Sequence, residues 1–471
     1  MLKKIAILII IIILTFPSWK ELVKSGWFPM HDDAQIQRVF LMHQSLQQGQ
    51  FPVRSVDLLG YGYGYPLFNF YNPLPYYFGA LIMFIGLNAL IATKIIFIIP
   101  FILGTIGFFL FARQKLKLLP SLLAAILFNY APYHGTLVYV RGALAESWAY
   151  ALIPWFFYSL SSRRYLLASF LLALLALSHN LTVITIIPFL ILFFIFQKKK
   201  SKTFFSWFKT ILLALALSAF FWLPAISEVG QTRVKEMIFQ VEYPPALHLI
   251  NPLQLWNSPI GYAGSAPGFS DGMSFQLGKI HILGSILAIF LLFLRKKIKP
   301  NLFYLLTLFI ALFLLLPFSK FVWANFSFLN FIQFPWRFFS FAILAASFLT
   351  ALFFQKTFLK PFIPLVILAA IILNYKFFIP QYLYSTTIAE QTDSQKIIWY
   401  TSKVSDEYLP QGFVVPQEGE FLSETDHQKN IQLINQVKQD TSLRRLGNAI
   451  SLLTLTLLVL AIIKPYAYHR N

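Results

Sequence analysis

The sequence predicts an all-α polytopic membrane protein of about 12 transmembrane helices, and three observations carry that prediction. First, 58% of the 471 residues are hydrophobic and 12% charged, where a soluble domain has about 45–50% and 25%. With a mean hydropathy of +0.66 and 52 Phe, the apolar surface exceeds what one protein core can bury, so lipid must solvate much of it. Second, apolar stretches of spanning length recur along the whole chain. Third, the charges segregate, with basic clusters in short loops and acidic residues elsewhere.

Stretches near 4–19, 92–112, 118–134, 143–160, 164–179, 181–197, 207–224, 278–294, 301–317, 338–355, 361–379 and 447–463 are close to the roughly 17–25 residues of a spanning helix. The opening stretch, two Lys and an Ile-rich run ending at Pro17, lacks a small-residue cleavage pattern after it and reads as a retained anchor rather than a signal peptide. Between the spans lie Lys3/Lys4, Arg113/Lys115/Lys117, Arg163/Arg164, Lys198 to Lys209, Arg295 to Lys299, Lys356/Lys360 and Lys464/Arg470. These hold 20 of the 38 basic residues and none of the 18 acidic ones. The positive-inside rule puts them, and both termini, on the cytoplasmic side of a cell membrane. Residues 75–91 are also apolar, but a span there would place Arg113 to Lys117 outside, so they read as an interfacial helix. A net charge of +20 held in such short loops is an orientation signal that attracts anionic lipid headgroups, not a nucleic-acid surface.

This leaves external regions at 20–91, 225–277 and 380–446, with a shorter one at 318–337. Residues 1–379 form the transmembrane domain, 380–446 a small external polar subdomain with nine of the acidic residues, and 447–471 the final span and tail. Within the subdomain, Ile397 to Val404 alternates weakly, as a strand would. Cysteine is absent, which removes disulfides, thiolate metal sites and Cys nucleophiles. Any chemistry therefore uses oxygen and nitrogen groups.

The candidates lie at the outer mouths of the spans. Asp32 and Asp33 follow His31 and precede a helix with apolar positions Ile36, Val39, Phe40 and Leu46. A carboxylate there could cap the helix, but one would suffice, so adjacent carboxylates beside a His read equally well as a functional group. Arg141 and Glu146 stand five positions apart at the mouth of an apolar helix, facing either a polar cavity or each other as an ion pair. Arg337, in Gln333-Phe-Pro-Trp-Arg337, either binds phosphate or snorkels to headgroups. His179-Asn180 suits a turn. Tyr63 and Tyr65, in the run GYGYGYP, suit an aromatic surface for a sugar ring or the lipid interface. No strand precedes that run, so it is not a phosphate cradle.

Taken in order, the HDD-containing helix, GQFPVR, GYGYPLFNFYNPLPYY, PYH…VRGALAESWA, LSHN, QFPWRF and DEYLP resemble the membrane-domain family labelled 6-pyruvoyl-tetrahydropterin synthase-related. That family in turn resembles the GT-C-type glycosyltransferases. The pterin label is not chemistry here, because no His cluster of a soluble zinc enzyme is present. The resemblance implies a GT-C-like fold and a membrane glycosyltransferase that takes a sugar from a polyprenyl-phosphate donor at the outer leaflet. It implies a glycan, lipid or protein acceptor and an acidic catalytic residue in the first external loop. On that match Asp32 is the candidate base and Asp33 the second; Glu146 joins the catalytic candidates. His31, Arg141, Arg337, Tyr63, Tyr65 and His179 are the substrate-binding candidates, with Arg141 and Arg337 on phosphate. A divalent metal could bridge Asp32, Asp33 and phosphate, though nothing in the sequence demands a cofactor. The competing functions are a transporter or flippase for a lipid-linked glycan, and a non-catalytic membrane assembly factor. Transporters place ionisable groups near the midplane and often carry repeats; here the acids cluster at one face and no repeat appears.

Overall fold

The computed structural model describes residues 2–196, 200–234, 244–266 and 271–468. Lys198, Lys199 and Arg470 of the basic clusters lie outside the described residues. Among the described residues the regular structure is helical, and extended residues pair only as isolated bridges such as Trp27 with Tyr384 and Val56 with Tyr65. The expected strand over Ile397 to Val404 is instead a π-helical turn, Ile397–Thr401, running into Ser402–Val404. Its apolar alternation is too weak to override a local helix that buries Ile397 and Thr401 on one side.

Among the described residues, five helices are long and apolar enough to cross a membrane: Leu2–Val23, Ala89–Arg113, Pro335–Lys356, Lys360–Phe378 and Glu424–Ala461. Two sharply bent pairs, Phe204–Leu217 with Ala219–Gln231 and Lys299–Leu315 with Pro317–Asn325, raise the number to seven if each is one broken span. Leu118–Asn129, Tyr165–Ser178, Asn180–Ile195 and Lys279–Leu294 are shorter apolar helices at other expected positions. Among the described residues, full-length helices therefore give five to seven candidate spans, and the expected count of about 12 is not confirmed. A break at Ile186, just before Pro188, divides Asn180–Thr185 from Ile187–Ile195. The stretch expected at the interface is a separate helix, Leu74–Phe84, and Asn88 caps the following one by accepting the Ile91 N–H at 2.9 Å.

The bundle is held by side chains that reach backbone carbonyls as well as by apolar packing. Pro100, inside Ala89–Arg113, has no N–H and so leaves the Ile96 carbonyl without its helical donor. The indole of Trp148, on the packed helix Leu144–Ser161, supplies one at 2.9 Å. Seven residues on, Trp155 donates to Leu103 at 2.8 Å. Gly104 allows this closeness, since a Cβ there would lie 3.1 Å from the Ala151 Cα. Replacing Trp148 with Phe keeps the ring and deletes the donor. We expect a loss of about 1 kcal/mol, read as a lower thermal midpoint of the detergent-solubilised protein.

Outside the bundle, residues 20–71 interleave with 380–446. Arg444 grips Glu228 through Nε and Nη2 at 2.6–3.0 Å, and Thr441 and Asn69 donate to the same carboxylate. Arg54 of GQFPVR donates to Asn69 at 3.0 Å and Asn448 at 2.8 Å. This buried ion pair is fully hydrogen-bonded, the condition under which burial is tolerated. It clamps the last helix, Ser442–Tyr468, to the loop that carries the aromatic run.

Candidate active site

The helix Gln35–Gln47 begins after Ala34, and no side chain caps it. Asp32 and Asp33 therefore do not act as N-caps. Asp32, in the turn before the helix, lies three residues before Gln35, which lies three before Arg38, so each successive pair is within side-chain reach. Its Oδ2 accepts from Gln35 Nε2 at 2.8 Å, Arg38 Nη1 at 2.8 Å and the Tyr71 hydroxyl at 3.1 Å. Among the described residues its Oδ1 has no hydrogen-bond partner, and the side chain is 26% exposed. The carboxylate is thus oriented through one oxygen and open at the other. Tyr76 donates to Gln35 Oε1 at 2.7 Å, while Gln35 also reaches the Gly142 carbonyl at 2.9 Å. Arg38 is 2% exposed and lies 4.5 Å from the centre of the Tyr71 ring. Burial works against its charge, but Asp32, Tyr71 and Tyr76 together outweigh it and hold the guanidinium above its ordinary pKa.

The backbone joins this group to the next. His31 and Asp32 donate their N–H groups to Val140 and Arg141 at 3.0 and 3.1 Å. Gly142 makes the approach possible: its φ is +61°, and a Cβ there would sit 2.2 Å from Met30 Sδ. Behind it, Glu146 accepts from Arg141 Nη1 at 2.9 Å and from Tyr133 at 2.7 Å, and Arg337 Nε stands 4.0 Å away. Glu146, Arg141 and Arg337 are 5%, 12% and 10% exposed. Two guanidinium groups thus face one carboxylate, an excess of positive charge in a site nearly closed to water. Arg337 donates to the Ile332 carbonyl and to Gln333 Oε1, and its buried Nε has no hydrogen-bond partner. Arg337 therefore does not snorkel. Arg141 and Glu146 do form the ion pair that was one of their two readings.

The other candidates separate. His31 is exposed, and its Nε2 meets the Tyr262 carbonyl at 2.9 Å. Asp33 turns the other way and accepts from the Trp27 indole at 3.1 Å. His179 is buried on Thr182 Oγ1 at 2.7 Å, in the break between Tyr165–Ser178 and Asn180–Thr185. Its nearest ionic neighbours are Arg337, Glu146 and Arg141. Tyr63 is drawn off to His427 at 2.7 Å and does not join Asp32. Tyr65 is fully buried, and its hydroxyl accepts the Tyr408 N–H at 3.0 Å, so it presents no ring surface to a ligand. Asp33 is engaged by Trp27 and Asp32 by Arg38, so the two carboxylates do not share a partner, and among the described residues no group of three or more His, Asp or Glu could hold a metal through protein ligands alone.

Arg38, Gln35 and Tyr71 were not among the sequence candidates, although the three-residue spacing from Asp32 could have singled out the first two. Glu407 is a further addition, carried in by DEYLP. Tyr408 stacks on Phe70 at 5.3 Å, which sets this loop over the segment bearing Tyr71. Burial pushes the Glu407 carboxyl above its ordinary pKa, against its backbone hydrogen bond and the pull of Arg38, and with the Asp32 charge adding to the rise. The sequence distance between the two carboxylates hides this placement.

A crystal structure of the apo oligosaccharyltransferase of Archaeoglobus fulgidus superposes with a TM-score of 0.49 at 15% identity, covering 91% of this chain and 63% of that one. An uncharacterized protein of Lactococcus lactis subsp. cremoris (strain MG1363) is 28% identical over 246 residues, which is 48% of this chain and 39% of the relative. The chain thus matches less than two thirds of the length of either. Residues 68–380, more than half of the chain, match the family described as 6-pyruvoyl-tetrahydropterin synthase related domain, membrane protein. The chain belongs to that family of membrane proteins.

Proposed function

We propose that the chain is a membrane glycosyltransferase that moves a sugar from a polyprenyl-phosphate donor to an acceptor hydroxyl at the outer leaflet, with Asp32 as general base. The observation that carries this reading is the asymmetry of the Asp32 carboxylate. Three donors fix Oδ2, and Oδ1 is left to accept a proton. In the transfer step the acceptor oxygen bonds to the anomeric carbon and its proton passes to Oδ1. The bond from that carbon to the phosphate oxygen breaks, and the lipid phosphate leaves with the electron pair. Attack opposite the leaving group inverts the anomeric centre.

The departing phosphate needs positive charge in a dry setting, where it counts most. Arg141 and Arg337 supply it, with Glu146 neutralising one of the two and fixing their spacing. Arg337 Nε, buried and unpartnered, is the donor free to engage a phosphate oxygen. Asp33, committed to Trp27, supports the local fold rather than the proton transfer. The acceptor is a glycan, lipid or protein hydroxyl.

Mass spectrometry of lipids extracted from the purified protein tests the donor. The expected result is a polyprenyl phosphate, bare or carrying one sugar, enriched over bulk phospholipid and depleted when Arg337 is replaced by Met. Phospholipid alone, in the wild type and the variant alike, would contradict the reading.

A further inference from the structure

The external region 380–446 holds an open groove of about 360 Å³ lined by Asp393, Gln395, Lys396, Tyr400 and Glu418. We propose that it binds a neutral oligosaccharide, as the acceptor subsite of the transfer reaction; in that role it rests on the function proposed above. The volume is at the small end of ligand sites and suits one or two sugar rings.

The groove is built rather than incidental. Asp393 Oδ1 accepts the Lys396 N–H at 2.8 Å, which starts the short helix, and the π-helical turn Ile397–Thr401 follows at once. Such turns are rare and recur at functional sites. This one buries Ile397 and Thr401 and leaves the Tyr400 ring 60% exposed. Trp399 donates to Gln395 Oε1 at 3.2 Å, so the amide N–H₂ of Gln395 stays available. The groove is also tied to the catalytic helix: Lys396 Nζ donates to Gln391 Oε1 at 3.2 Å, and Gln37 of Gln35–Gln47 donates to the same Gln391 at 2.8 and 3.0 Å.

The chemistry selects the occupant. A sugar ring has an apolar C–H face and a rim of hydroxyls that both donate and accept. An exposed Tyr offers a flat apolar surface with a polar tip. Two carboxylates accept from hydroxyls, and an amide and an ammonium donate to them. Two acids against one lysine repel phosphate, so the lipid-phosphate end of the donor belongs with Arg141 and Arg337 and not here.

Calorimetric titration of the full chain in detergent tests the inference, using linear hexasaccharides of glucose, mannose and N-acetylglucosamine as probes. At least one should bind the wild type, and Tyr400→Ala should weaken it about tenfold without moving the thermal midpoint. Glu418→Gln should weaken it several-fold. Asp32→Asn, which stops transfer, should leave binding in place, so a Tyr400-dependent titration with no transfer activity keeps the groove and removes only the transfer reading. Transfer with an acceptor KM unchanged by Tyr400→Ala, or no difference between wild type and Tyr400→Ala in any titration, would overturn the groove. So would Tyr400-dependent binding of a lysine-rich peptide in place of the sugars.

Discussion

Replacing Asp32 with Asn is expected to slow sugar transfer by about 10²–10⁴-fold, the usual range for losing a general base. The substitution preserves shape and leaves an acceptor for Gln35 and Tyr71. It also strips the counter-charge from Arg38, which is 2% exposed. Breaking a buried pair from one side costs about 3–5 kcal/mol, so a loss of activity alone would not separate catalysis from a structural ion pair. A cycle with Arg38→Met separates them. The double variant removes both charges and should recover most of the thermal midpoint, while transfer stays at the level of Asp32→Asn. Transfer that recovers together with stability would make Asp32 a structural residue. The assay needs kcat and midpoint on the same four proteins.

Replacing Glu146 with Gln should have the largest effect on stability. Glu146 is 5% exposed and is the counter-ion of two guanidinium groups, Arg141 at 2.9 Å and Arg337 at 4.0 Å. With only an amide left, two positive charges would face each other in a site nearly shut off from water. The expected cost is about 3–5 kcal/mol, seen as a marked drop in thermal midpoint and in the yield of folded protein. Adding Arg141→Met removes one of the charges and should restore part of the midpoint. Glu146 stood among the catalytic candidates, and the opposite result would support that role: an unchanged midpoint with abolished transfer would make it a reacting group rather than the residue that positions the arginines.

The apolar helices were legible in the sequence because lipid and protein interiors both demand long apolar runs. Their interruptions were less so. Pro100 and Pro154 lie within continuous helices, whereas the chain breaks at Ile186 and at Ser218; hydropathy alone does not tell these cases apart. Asp32 was legible as a candidate because two carboxylates at a helix start exceed what capping needs. Its partners Gln35 and Arg38 follow from helical spacing, and Tyr71 and Glu407 do not, since they arrive through loops far along the chain. Tyr63 and Tyr65 show the converse. Alternation with glycine suggested a shared aromatic surface, but Val56 pairs with Tyr65 and directs its ring inward, while Tyr63 goes to His427. Arg337 was ambiguous at the sequence level for a physical reason: a lone arginine at a membrane boundary snorkels unless something buried accepts it. Here the Ile332 carbonyl and Gln333 Oε1 accept it, with Glu146 as a counter-charge 4.0 Å away.

Sugar transfer from a lipid phosphate by Asp32 and the two arginines needs no compartments, so it should persist in detergent solution, where transport has no meaning. The purified chain would be incubated with a polyprenyl-phosphate hexose labelled in the sugar and a panel of glycan, lipid and peptide acceptors, beside the Asp32→Asn protein. The wild type should release labelled product and free polyprenyl phosphate in equal amounts, and Asp32→Asn at least a hundredfold less. A folded wild-type protein that consumes no donor with any acceptor, or an Asp32→Asn protein that transfers at the wild-type rate, would contradict it.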